Sequence, residues 1–146
     1  MEVEIKIDEK LKEPKVVIYT NKLTDELQNL ANKIKDDSPQ KLIGENDLET
    51  FLLDPKEIES FFTEDNKVFA RKESEKYRIK KKIYELEEML QGSSFVRISN
   101  SEIANFDKVE SLEIDGSKEI CLKFKSGNYT YVSRRNISKI KKYLGL

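Results

Sequence analysis

The chain has 146 residues, 27 of them basic and 28 acidic, for a net charge of −1, with 37% hydrophobic and 38% charged residues. That length holds one domain, or one domain with a small appendage, and the mixed signs of charge argue against wholesale disorder. There is no histidine and a single cysteine, Cys121, which excludes an internal disulfide, a zinc site and the usual general base near neutral pH. No apolar run approaches the roughly 20 residues that span a bilayer. The amino terminus lacks the basic and apolar regions of a signal peptide. The expectation is a soluble, cytoplasmic protein without metal, cofactor or small-molecule substrate.

In chain order, residues 3–7 alternate Val3, Ile5 and Ile7 with charged neighbours, a pattern that predicts a half-exposed strand. After Pro14, residues 15–19 (Lys-Val-Val-Ile-Tyr) predict a second strand. Leu23, Leu27, Leu30, Ala31 and Ile34 then fall at helical spacing, with Asn21 or Thr24 available as a cap and Asp36-Asp37-Ser38-Pro39 as a stop. Such a β-β-α unit, residues 1–40, is too small to bury a core alone. It is expected to pack on its neighbour, to dimerise or to be partly mobile.

Beyond residue 40 short strands dominate. They are predicted at 41–44, 48–53, 59–63, 67–71 and 77–80. A helix at 82–91 places Ile83, Leu86, Met89 and Leu90 on one face, and Gly92-Ser93-Ser94 ends it. Further extended pieces follow at 95–98, 102–105 and 109–114. Strands at 120–125 and 129–132 are joined by Ser126-Gly127-Asn128, a hairpin signal. A last helix runs from Arg134 or Arg135 to Tyr143, with Ser133 as its cap. The pattern reads as a mostly β domain, residues 41–146, after a small α+β extension.

Charge is unevenly placed. From residue 117 to the end stand Lys118, Lys123, Lys125, Arg134, Arg135, Lys139, Lys141 and Lys142 against the lone acid Glu119, a net +7 on a chain that sums to −1. A localised basic end is the footprint of a polyanion-binding surface; a solvated amphipathic helix is the alternative. Other chemistry finds little support. Cys121 lies in the alternating run Ile-Cys-Leu-Lys-Phe and reads as a core thiol. Glu87-Glu88 and the pair Glu57/Glu59 read as solvated faces. The five glycines are scattered and form no phosphate loop. The aromatics Phe61, Phe62, Phe69, Phe95, Phe124, Tyr129 and Tyr131 read as core rather than as a stacking platform for single strands.

The run Phe95-Val96-Arg97-Ile98-Ser99-Asn100-Ser101-Glu102-Ile103-Ala104-Asn105, followed by Tyr131-Val132-Ser133-Arg134-Arg135-Asn136-Ile137, resembles the LytTR family of bacterial DNA-binding domains. The family's marks are a strand of type F-x-R-x-x-x-S, an I/V-x-N turn, a hairpin, and a closing S-R-R turn before a terminal helix. Asp54-Pro55-Lys56-Glu57-Ile58 and Glu64-Asp65-Asn66-Lys67-Val68-Phe69 are similar to its opening strand and first DNA-facing loop. Two positions depart from the pattern: Ser99 stands where many members have histidine, and Ala104 where valine is usual. The whole chain resembles the stand-alone members, in which a short extension replaces the receiver domain of a response regulator.

The resemblance implies an elongated set of small antiparallel β-sheets with short helices, whose loops enter successive major grooves of double-stranded DNA, and regulation of transcription from paired direct-repeat half-sites. Control would come from abundance or a partner, such as a small membrane protein, and a homodimer on DNA is expected. Three residues are implied as base-contacting. Arg135 can donate two hydrogen bonds to guanine and Asn100 can pair with an adenine edge; Lys67 faces bases or their phosphates. A surface ion pair, an ordinary turn asparagine and a solvated lysine are the respective alternatives. Phosphate contacts are implied for Arg97, Ser101, Ser133, Arg134, Asn136 and Lys139, helped by backbone N–H groups at the start of the last helix; Arg97 could equally position its loop. The competing function is a protein-interaction or adaptor module whose basic end docks on an acidic partner.

Overall fold

A computed structural model of the chain describes residues 1–35, 40–114 and 119–145. The chain divides into two compact units, Met1–Ser38 and Pro39–Leu146.

Among its described residues the first unit contains one regular element, helix α1 (Asp25–Lys35). Thr24 caps it: its hydroxyl accepts from the Leu27 N–H at 3.2 Å and its carbonyl from the Gln28 N–H at 3.0 Å. The stop expected at residues 36–39 lies outside the described residues. The two strands expected at 3–7 and 15–19 do not form. Alternation and β-branching describe a fit to a half-buried sheet, and here no strand supplies the other half. Ile7 is 92% exposed and Tyr19 93%. The helix buries no residue completely.

The second unit is the β domain. Its strands are β1 (Leu42–Asn46), β2 (Glu49–Leu53), β3 (Ser60–Glu64), β4 (Lys67–Lys72), β5 (Glu75–Ile79), β6 (Phe95–Ser99), β7 (Glu102–Asn105), β8 (Val109–Ile114), β9 (Ile120–Phe124) and β10 (Tyr129–Val132), with helices α2 (Ile83–Met89) and α3 (Ile137–Tyr143). A seven-stranded sheet runs β2-β1-β5-β4-β3-β7-β6 and a three-stranded sheet β10-β9-β8. All pairings are antiparallel. Among the described residues no helix is long and apolar enough to cross a membrane.

Two cores hold this unit. The first lies between one face of the large sheet and α2: Leu42, Leu53, Ile58, Phe61, Ala70, Tyr77, Ile79 and Ile103 pack with Ile83, Leu86 and Leu90. Gly44 is required there, because a Cβ would stand 2.5 Å from Leu53 Cδ1 and 2.9 Å from Tyr77 Cβ. The second core uses the opposite face at the β6–β7 end, where Val96, Ile98 and Ala104 meet Leu122, Phe124, Val132 and Ile140. Burial on both faces explains the near-continuous apolar run from Phe95 to Ile98.

Period two corrects several expected core residues. Phe61 is fully buried, so its neighbour Phe62 faces outward with its cross-strand partner Phe69. Their rings stack at 5.8 Å, with Arg71 4.8 Å above Phe62 and Lys76 4.7 Å above Phe69. Tyr129 and Tyr131 are also largely exposed. Leu122 and Phe124 take the core face of β9, which turns the half-buried Cys121 to the other side.

Candidate nucleic-acid interface

Three turns of the β domain are tied to one another through backbone hydrogen bonds. The β3–β4 turn leads to Lys67, the β6–β7 turn holds Asn100 and Ser101, and the turn after β10 holds Ser133 to Asn136. The Thr63 N–H, at the root of the first turn, donates to the Ser101 carbonyl at 2.8 Å. The Ser133 N–H donates to the Ile98 carbonyl at 2.9 Å. Both bonds run between main-chain atoms, so neither depends on which side chains the turns carry.

The first turn is a two-residue hairpin with left-handed φ at both Asp65 (52°) and Asn66 (61°), the backbone twist that suits paired strands. Lys67 follows it, exposed. Its cross-strand partner Glu64 is held by Lys76 at 2.9 Å.

The second turn is built around Arg97. Its Nε donates to the Ser99 carbonyl and its Nη2 to the Asn100 carbonyl, each at 2.6 Å, while Nη1 stands 3.5 Å from Glu87 Oε1. A register shift between Arg97 and Ser99 bends the strand so that the side chain can reach forward to its own turn. Of the two roles expected for Arg97, positioning the loop is the one this geometry carries; its guanidinium is turned to protein groups rather than outward to phosphate. Ser99 Oγ accepts from the Ser101 N–H at 3.2 Å. Asn100 and Ser101 remain exposed.

The third turn is a short 3-10 helix, Arg134–Asn136, leading into α3. Ser133 occupies its cap position without a side-chain cap bond; instead its hydroxyl accepts from Asn136 Nδ2 at 2.7 Å. Ser133 and Asn136 are half-buried and serve each other, whereas Arg134 and Arg135 are exposed. Among the described residues neither arginine makes an ion pair. The helix that follows has seven residues. Lys139, on α3, lies 3.4 Å from Glu87 Oε2, so one acid of α2 faces both Arg97 and Lys139.

Sequence reasoning missed two acids. Glu87 looked like a solvated face of a helix, and only the fold brings it beside Arg97 and Lys139. Glu59, also read as solvated, is 4% exposed. It accepts from Ser126 Oγ, and from Asn128 Nδ2 at 3.0 Å. Glu102 accepts from Thr130 Oγ1 at 2.7 Å. Burial pushes the Glu102 carboxyl above the usual glutamate range, against hydrogen bonds from Thr130 and Ser60 and the nearby charge of Arg71, which pull it down. No group of histidine, cysteine or acidic side chains suited to a metal occurs among the described residues.

A family model for the LytTr DNA-binding domain matches residues 49–145. The chain belongs to the LytTR family. An uncharacterized HTH-type transcriptional regulator of Staphylococcus aureus (strain MSSA476) is 31% identical over all of this chain and 99% of its own length. Another, from strain NCTC 8325, is 32% identical over 88% of each chain. The LytTr DNA-binding domain of a response regulator from Bacillus cereus superimposes with a TM-score of 0.67 at 20% identity, covering 73% of this chain and 99% of that one. The LytTR architecture expected from the sequence, small antiparallel sheets with short helices, is therefore the observed one. The family assignment makes the protein a DNA-binding transcription regulator.

Proposed function

We propose that the β3–β4, β6–β7 and post-β10 turns read double-stranded DNA sequence-specifically in the major groove, with Lys67, Asn100 and Arg135 toward base edges. Arg134, Ser101 and Lys139 are assigned to the phosphate backbone, with Ser133 and Asn136 closing the turn that presents the arginines. The observation that carries this reading is the backbone tie among the three turns, which leaves Lys67, Asn100, Arg134 and Arg135 exposed on three linked supports. A polyanion attracts such cations, and a fork-shaped donor on a rigid turn can discriminate bases. Each molecule would occupy one half-site, and two molecules a pair of direct repeats.

The test is a competition titration. A duplex selected from a random pool by the full chain is compared with its scrambled sequence at several salt concentrations. Preference for the selected duplex that is lost in Arg135→Ala supports base reading. Equal affinity for both duplexes would move the protein to the adaptor reading, in which the basic end docks on an acidic partner.

A further inference from the structure

The third turn hangs from the β9–β10 hairpin, and that hairpin is fastened to the seven-stranded sheet at three heights. At its tip, Ser126 Oγ and Asn128 Nδ2 both donate to the Glu59 carboxylate. Midway, Thr130 Oγ1 donates to Glu102 Oε1 at 2.7 Å. At its end, the Ser133 N–H donates to the Ile98 carbonyl at 2.9 Å. Gly127, with φ +98°, lets the tip fold so that Ser126 and Asn128 point the same way.

Glu59 is an unusual anchor. A carboxylate that is 4% exposed is costly unless its oxygens are hydrogen-bonded, and both of its oxygens are given to the hairpin. Its own backbone is fixed on both sides: its N–H donates to the Arg71 carbonyl at 2.8 Å and its carbonyl accepts from the Asn105 N–H at 2.9 Å. Asn105 in turn donates to the Ile58 carbonyl at 2.9 Å. Beside these bonds the hairpin does not lie flush on the sheet. A cleft of about 270 Å³ opens between Phe62, Arg71 and Tyr129. Apolar contact in the second core is non-directional, so near the tip the polar bonds set where the hairpin sits.

We propose that Glu59 is a positioning residue for DNA recognition: by holding Ser126 and Asn128 it sets the hairpin, and through it the Arg135 turn, relative to the turns that carry Lys67 and Asn100. The inference rests on the reading that these three turns face DNA. Glu59 itself lies on the sheet beneath the hairpin and makes no contact with the nucleic acid.

The experiment uses the full chain, the selected and scrambled duplexes, and Arg135→Ala in parallel. In Glu59→Gln one acceptor oxygen becomes an amide donor, which either opposes the Asn128 amide or reverses the Ser126 hydroxyl, and in both orientations the charge-assisted bonds are lost. Affinity for the selected duplex should fall about 10-fold, with less than about 2-fold change on the scrambled one and an unchanged salt slope. The double variant Glu59→Gln, Asn128→Asp reverses donor and acceptor across the same bond and should recover selected-duplex affinity to within about 3-fold. Ser126→Ala, which removes one bond and keeps the carboxylate, serves if Glu59→Gln does not fold, and should show a smaller loss confined to the selected duplex. Equal losses on both duplexes, no loss in either Glu59→Gln or Ser126→Ala, or no recovery in the double variant overturns the proposal. If Arg135→Ala leaves the selected duplex unaffected, it is the reading of the turns that fails instead.

Discussion

Arg97 Nη2 donates to the Asn100 carbonyl at 2.6 Å, so a cation expected to contact phosphate holds the backbone of a residue proposed to read bases. The same guanidinium takes the Ser99 carbonyl and faces Glu87, a fork that an ammonium cannot reproduce. Arg97→Lys should therefore lower affinity for a selected duplex about 10-fold, while the salt dependence of binding stays as it is. A direct phosphate contact would instead reduce the salt slope by about one. Titrations at four or more salt concentrations separate the two.

Arg135 is exposed and faces no acid among the described residues. Arg135→Ala should cost about 1–3 kcal/mol on the selected duplex and relax preference at one base position. Arg135→Lys should recover only part of the loss. Repeating the random-pool selection with each variant shows whether one position of the recovered sequence becomes degenerate.

Glu87 restrains Lys139 at 3.4 Å. Lys139→Ala should weaken selected and scrambled duplexes alike and lower the salt slope by about one. Glu87→Gln frees Lys139 and also loosens Arg97. Scrambled-duplex affinity should rise while preference for the selected duplex falls. Anisotropy titrations of both duplexes give the two numbers directly.

Glu102 binds its proton more tightly in the folded protein than in the unfolded chain, because burial disfavours its ionised form. The folded state then gains stability from this group below the ordinary glutamate value and loses that gain as pH rises through the folded value. At neutral pH the ionised side chain is a net cost. Glu102→Gln keeps an oxygen for Thr130 and should raise the melting temperature by a few degrees at pH 7. The advantage should shrink steadily as pH falls toward 4. A variant that is less stable than the parent at pH 7 contradicts this assignment.

The amino-terminal unit leaves Val3, Ile5, Ile7, Val16 and Leu23 exposed, more apolar surface than a solvated arm needs. If it brings two molecules together, deleting residues 1–40 should weaken binding to a duplex with two half-sites more than to one with a single half-site. Equal losses on the two duplexes exclude that role.

Much of the β domain could be read from the sequence because each strand carries its own alternation. Residues 102–105, 109–114 and 129–132 were expected as strands with the bounds that the structure gives to β7, β8 and β10. The amino-terminal segments carry equally good patterns, yet residues 3–7 and 15–19 form no strand, since alternation states a preference and not a partner. Phe61-Phe62 shows a related limit. Two adjacent strand residues cannot face the same side, and only the pairing of β3 with β4 and β7 decided that Phe61 is the buried one. Among the proposed site residues, the exposure of Lys67, Asn100 and Arg135 was legible from turn composition. The roles of Arg97, Glu87 and Glu59 were not, because each depends on a partner brought near by the fold: a bent strand for Arg97, two other elements for Glu87, and a hairpin 67 and 69 residues away for Glu59.

The ties from Thr63 to Ser101 and from Ser133 to Ile98 run between main-chain atoms. What the turns present can therefore be exchanged without disturbing how the turns are held. If Lys67, Asn100 and Arg135 read bases as proposed, substitutions there would rewrite the preferred operator on an unchanged frame, and the domain would serve as a scaffold on which new DNA specificities can be selected.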